Sequence, residues 1–266
     1  MARGNWPHIR HHRGRLGAAA ALLATVLAAC SGSPTAPSAV AELTERVSTA
    51  HFDFAWSRGD SVDTVWQEAF HEWATRELDV TITRRISYSK YLSPGHMLEL
   101  HYGPGNVNAW ADPNLFTLHT IWAFDNHEVI HLYASTFGQA TSVLNEGLAV
   151  AYQVDPVRND MTPRWNNRHV HDVAASLRRQ GRLVPLGEML TIDQFRALDS
   201  QIAYPVAGSF VRFLLDHHGG VAPIKRLFGL SAQRDAPETT RSNIASVYEK
   251  PLEALEQDWL ALLDRR

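Results

Sequence analysis

The sequence predicts an α+β fold: a small N-terminal mixed sheet with a helix, followed by a mostly helical half. Three observations carry this. Runs with β-branched or alternating character lie near residues 80–90, 97–102 and 114–120. From about residue 121 onward the reading is almost wholly helical. No internal repeat and no second linker interrupts the chain, so residues 44–266 read as one folded unit.

The elements follow in order. Residues 61–78, SVDTVWQEAFHEWATREL, place Val65 or Trp66, Phe70, Trp73 and Leu78 near helical spacing, with Ser61 as the expected cap. Residues 80–90 (VTITRRISYSK) and 97–102 (MLELHY) read as strands, and Gly103-Pro104-Gly105 as a loop. Residues 114–120 (NLFTLHT) make one more strand. It is either an edge strand able to pair with an extended substrate or an ordinary internal strand. Later, Thr191-Ile-Asp-Gln194 has the form of a capping box. Gly219-Gly220 ends a helix that starts near 203, and Pro251 suits the first turn of a last helix, PLEALEQDWLALL.

The composition is that of a globular protein, with 45% hydrophobic residues, 20% charged residues and eight Trp in 266 residues. The formal charge of −3 hides two parts. Residues 1–29 hold four Arg and no acid, which leaves 21 basic groups against 28 acidic, a net of −7, in the remainder. That sign excludes an electrostatic footprint for nucleic acid, so none is expected as a partner. The single cysteine, Cys30, excludes a disulfide framework within the chain.

Residues 1–15 are basic and polar, and residues 16–29, LGAAAALLATVLAA, form an apolar run too short to span a bilayer stably. Together they describe a secretory signal peptide. Leu27-Ala28-Ala29-Cys30 resembles the lipobox of bacterial lipoproteins, which implies a lipid on Cys30 as the mature N-terminus. Residues 30–43, with Ser31-Gly-Ser-Pro-Thr-Ala-Pro-Ser38, then read as a flexible tether. The expectation is a protein anchored to a membrane of the bacterial cell envelope through Cys30, facing outside the cytoplasm. A soluble secreted protein is the plainer alternative.

Residues 127–131 read His127-Glu128-Val129-Ile130-His131. Four positions apart on a helix, the two histidines project from one face, where both rings reach one tetrahedral zinc. Glu128 stands beside the first of them, able to reach an open metal position and accept a proton from water. Val129 and Ile130 would face the core. From this chain's own composition the pattern would arise by chance roughly 0.03 times. Fifteen residues on, VLNEGLAVAYQ carries Glu146. A turn after Gly138 and a second helix would bring Glu146 back, giving zinc two nitrogens and one oxygen with a position left for water.

The pair HEVIH and NEGLA is similar to the gluzincin metallopeptidases, whose third ligand is the Glu of a helical Asn-Glu-Gly segment. It resembles in particular the peptidase MA-like domain of many bacterial envelope proteins. His51-Phe-Asp-Phe54, Tyr204-Pro-Val-Ala-Gly-Ser-Phe-Val211, Asp216-His-His-Gly219 and Trp259 extend the likeness over most of residues 48–263. The resemblance implies a zincin-like helical half, a Zn2+ cofactor and a peptide or protein substrate. Tyr204 is the oxyanion donor it implies, since such enzymes commonly use a Tyr or His downstream of the third ligand. Two departures stand out. No Gly-x-Met-Glu-Asn segment is present, so an aminopeptidase is unsupported. Glu146 has Val150, not an acid, four positions on, so a carboxylate supporting the ligands must come from elsewhere or be absent; Asp125 and Asn126 are nearby alternatives.

Other residues carry plainer expectations. Tyr152 packs along its own helix. His169, His171, His217 and His218 are expected at the surface. The rival to a zinc metallopeptidase is a non-catalytic envelope lipoprotein, a scaffold or binding module on the same fold; zinc storage or delivery suits an open three-ligand site less well.

Overall fold

The computed structural model describes residues 42–100, 105, 107–155 and 160–266. The expected leader, Cys30 and most of the expected tether lie outside these residues. Five strands form one mixed sheet: β1 (Glu45–Ser48), β2 (Phe52–Trp56), β3 (Ile86–Lys90), β4 (Ala109–Asp112) and β5 (Thr117–Thr120). Their order is β1-β2-β3-β5-β4. The three inner strands run parallel, with Phe54 opposite Tyr88 and Tyr88 opposite Leu118, while β1 and β4 are antiparallel edges. Phe52 and Phe54 flank exposed Asp53, and Ile86 and Tyr88 flank exposed Ser87, so the period-2 pattern gives the sheet one apolar face. Helix α1 (Thr64–Glu77) buries Phe70, His71 and Ala74, with the His71 ring 5.8 Å from Phe52.

Several sequence expectations need correction. The cap of α1 is Asp63, which accepts from the Trp66 amide at 3.0 Å, not Ser61. Only the second half of 80–90 is strand. The alternation at 97–102 belongs in part to a helix, α2 (Pro94–Glu99). Ser93 caps it through the His96 amide and Pro94 supplies a fixed φ at its start, and these local signals outweigh a six-residue alternation. Residues 114–116 form a turn on the Asp112 carboxylate, which accepts from the Asn114 and Leu115 amides, and Phe116 has φ 58°. β5 therefore starts at Thr117 and is internal, and β4 is the edge.

The second half holds α3 (His127–Ala134), α4 (Ser142–Tyr152), a hairpin of β6 (Arg164–Trp165) and β7 (Arg168–His169), then α5 (Val170–Arg179), α6 (Ile192–Ala197), α7 (Ser200–His217), α8 (Val221–Leu230), α9 (Pro237–Tyr248) and α10 (Leu252–Leu263). The fold is thus α+β, as expected. The capping box at Thr191 and Gln194 forms, with α6 behind it. α7 starts at Ser200 on an Asp199 cap and stops before Gly219-Gly220, and Pro251 immediately precedes α10. α7 packs against α4 at close range. A Cβ on Gly147 would fall 2.7 Å from Val211 Cγ2 and 2.9 Å from the Ala207 carbonyl oxygen.

Of the four histidines expected at the surface, only His217 is well exposed. His169 and His218 are half-buried, and His171 is 2% exposed. Its Nδ1 lies 2.8 Å from Ser209 Oγ, which also accepts from Trp259 Nε1 at 3.0 Å. Hydrogen bonding to an interior hydroxyl makes that burial tolerable. Among the described residues no helix is long and apolar enough to cross a membrane.

Candidate metal centre

The entry into α3 is pinned from two sides. Gln67 of α1 donates to the Asp125 carbonyl at 3.2 Å and accepts from the Asp125 amide at 3.1 Å. Asn126 donates to the Val154 carbonyl at 2.6 Å, just past α4. Asp125 Oδ1 accepts the Glu128 amide at 3.0 Å and so satisfies one of the free donors at the helix start. Val129, Ile130, Leu132 and Tyr133 are all fully buried, which turns His127, Glu128 and His131 toward the other side of α3.

The chain then reverses at Gly138. With φ 145° and a notional Cβ 2.4 Å from the Phe228 carbonyl oxygen, this position admits only glycine. The reversal lets α4 carry Glu146 back toward α3. Glu146 Oε2 lies 3.1 Å from His127 Nε2 and 3.4 Å from His131 Nε2. The two rings stand 5.0 Å apart and nearly perpendicular, at 81°. Donor atoms bound 2.0–2.1 Å from one tetrahedral zinc are about 3.3 Å from each other. The two spacings therefore match edges of such a tetrahedron, and the residues fit the ion. Glu128 also lies close, with a carboxylate oxygen within 4.8 Å of a ring nitrogen of each histidine.

Electrostatics separate the two carboxylates. Burial works against the charge on Glu146, but His131 and His127 outweigh it and hold the carboxyl far below its usual range. Burial pushes Glu128 up to about 7, with the imidazoles opposing and Asp125 and Glu146 adding to the rise. One acid stays ionised as a ligand would; the other titrates near neutrality, as a proton carrier needs. Burial also opposes a charged His131, yet Glu146 raises this imidazole to about 9. The same hydrogen-bonded carboxylate raises His127 against its own burial.

Behind the first histidine stands Gln153. Its Oε1 lies 3.3 Å from His127 Nδ1, which as the donor leaves Nε2 free for a metal. Neither Asp125 nor Asn126 fills this role: one caps the helix and the other holds Val154. His131 Nδ1 is buried without a hydrogen bond of regular geometry, although the Asn145 side chain bears on this ring.

Tyr204 sits in the second turn of α7, its ring 5.9 Å from His127. Trp165 and Phe195 pack on it at 5.7 and 5.4 Å. Burial, with Glu146 and Glu128 nearby, raises its phenol above the ordinary value, so it remains a donor at neutral pH. Tyr152 is buried against Trp73 at 5.5 Å, a packing residue as expected. A cleft of about 1180 Å3 opens over the cluster, and both His127 and His131 line it together with Glu128, Glu146 and Tyr204. Edge strand β4 contributes Ala109, Trp110 and Ala111 to the same cleft. The side chains of His127, His131 and Glu146 are 17, 13 and 22% exposed, so the cluster is shielded but reachable.

Sequence reasoning assigned no role to Gln153 or to β4. Gln153 had a signal, lying seven positions after Glu146 on the same helical face, whereas β4 is too short and mixed to show one. No family model matches the chain, and no curated protein matches it significantly.

Proposed function

We propose that this protein is a zinc-dependent metallopeptidase of the gluzincin kind, resembling the peptidase MA-like domain, which hydrolyses peptide bonds at the bacterial cell envelope. The observation that carries the reading is the contact of Glu146 Oε2 with both imidazole Nε2 atoms, at 3.1 and 3.4 Å. His127, His131 and Glu146 would hold the ion through two nitrogens and one oxygen. Zinc bound there supplies Lewis acidity, polarising the scissile carbonyl and making water easier to deprotonate.

The remaining steps belong to the chain. Glu128, half-buried beside both imidazoles, accepts the proton of the attacking water and returns it to the leaving amine. Tyr204 donates its hydroxyl to the oxygen on which charge develops. Gln153 holds the His127 ring with Nε2 toward Glu146, where it would meet the ion. β4 is an edge among the described residues and lines the cleft, so its outer backbone groups are where an extended peptide adds as a strand. A lipid on Cys30 would hold the enzyme to the membrane, with residues up to 43 as the tether.

Glu128→Gln tests the reading. Zinc content should stay near one per chain while hydrolysis of a peptide pool falls by about 10²–10⁴-fold. Undiminished turnover in that variant would remove Glu128 from the reaction. Full zinc loading of the parent with no turnover of any peptide would favour the scaffold or binding module.

A further inference from the structure

Apart from the ligand histidines, the charged side chains lining the cleft are almost all acidic: Asp63, Asp125, Glu128 and Glu146. Arg196 is the one Lys or Arg among the described lining residues. It is exposed and makes no ion pair or hydrogen bond there, unlike Arg164, Arg178 and Arg212, which each hold a carboxylate.

The backbone that carries it is nevertheless held. The capping box of Thr191 and Gln194 locks the start of α6, and the preceding residue, Phe195, is buried against Tyr204. Two ring contacts, of 5.4 and 5.9 Å, link Phe195 through Tyr204 to His127. Gln201 lines the same cleft. Gln201 Oε1 already accepts from Trp165 Nε1 and Asn166 Nδ2, so what Gln201 has left to offer is its amide hydrogens.

From this geometry we infer that Arg196 selects substrates carrying a carboxylate near the bond attacked. A peptide filling the cleft covers the guanidinium and strips part of its water. A carboxylate restores that loss through a bidentate pair, whereas a neutral group leaves a cation poorly solvated. Either a free C-terminus or an Asp or Glu side chain supplies the same chemistry. The inference rests on the peptidase reading of the cleft.

The test uses the full-length zinc-loaded chain and a defined pool of N-acetylated hexapeptides. Each sequence is present as free acid and as C-terminal amide, with Glu or Gln at each internal position, and cleavage is read by mass spectrometry. Carboxylate-bearing members should be cleaved about tenfold faster than their neutral partners, and in Arg196→Gln the ratio should fall toward one with zinc content unchanged. A preference for free acids identifies the C-terminus, and a preference for Glu over Gln identifies the side chain. Equal rates for charged and neutral members overturn the inference while leaving the hydrolase intact. A second arm does not need turnover: the same pool is retained on immobilised zinc-loaded Glu128→Gln protein, with and without Arg196→Gln. Enrichment of carboxylate members that disappears with Arg196 supports the inference, and equal or absent retention of both classes overturns it.

Discussion

Gln153 lies two helical turns beyond Glu146 and meets His127 from behind, with its Oε1 3.3 Å from the ring Nδ1. A neutral amide thus stands behind this ring, while the position four after Glu146 holds Val150 and not a carboxylate. If the contact sets the tautomer, Gln153→Ala should weaken zinc binding by about 10–100-fold, and Gln153→Glu should hold or tighten it. Competition against a chromophoric chelator gives both constants. A melting temperature close to the parent's for the alanine variant separates positioning from general damage. Identical zinc affinity in all three proteins would rule out the role.

Gly147 follows Glu146 and faces α7, where an added methyl would sit 2.9 Å from the Ala207 carbonyl oxygen and 2.7 Å from Val211 Cγ2. Alanine in a helix is ordinarily worth about 0.5–1 kcal/mol over glycine. Here overpacking should win, at about 1–3 kcal/mol destabilising, because a backbone oxygen cannot rotate away. Gly229→Ala in α8 is the control, since its nearest neighbour, the Phe137 carbonyl oxygen, would be 3.6 Å away. Urea midpoints should fall for Gly147→Ala and hold or rise for the control. Zinc affinity should fall with the former, because the α4 backbone that shifts is the one carrying Glu146.

Both halves of the candidate site were legible because each is a local signal. Four-residue spacing puts His127 and His131 on one face whatever the tertiary structure, and Gly138 announces the reversal that returns Glu146. The sequence starts this helix near 203, which puts Tyr204 in its first turn, but Asp199 caps α7 five residues before Tyr204, so the ring projects from the second turn. The errors lie where local signals compete or where partners come from afar. At 97–102 an alternation was read while the Ser93-Pro94 start just before it was passed over. His171 was assigned to the surface because nothing near it in sequence shows that Ser209, 38 residues on, receives it. β4 gains its definition only from β5, with Trp110 opposite His119.

Metal binding should be strongly pH-dependent. In the metal-free protein Glu146 raises His131 to about 9, so near pH 7 this ring carries a proton that zinc must displace. Affinity should therefore rise about tenfold per pH unit for each proton released, from about pH 6.5 to 8.5. Glu146→Gln removes the group that raises His131 and should flatten the slope as well as weaken binding. Chelator competition at several pH values measures both. A flat profile for the parent would contradict the imidazolium–carboxylate pairing.

Acid should destabilise the N-terminal half through two interior histidines. His71 and His119 are each 5% exposed, and burial lowers both from 6.5 to about 4. His71 bonds the Tyr133 hydroxyl at 2.6 Å and stacks on His51 at 3.9 Å; His119 bonds the Tyr91 hydroxyl at 2.8 Å and stacks on Trp110 at 4.8 Å. Because the folded value is the lower one, the unfolded chain binds more protons between about pH 6.5 and 4. The stability these rings contribute is complete above 6.5 and is lost as pH falls toward 4. Allowing for water that still reaches the rings, the loss is on the order of 1–2 kcal/mol per ring by about pH 5. Urea denaturation of the parent and of His71→Gln, at pH 7 and near pH 5, measures it. The variant starts less stable, having lost a shaped partner for Tyr133, but its decline with acid should be shallower by about that amount. Parallel declines in the two proteins would show that His71 takes up its proton as readily in the folded chain as in the unfolded one.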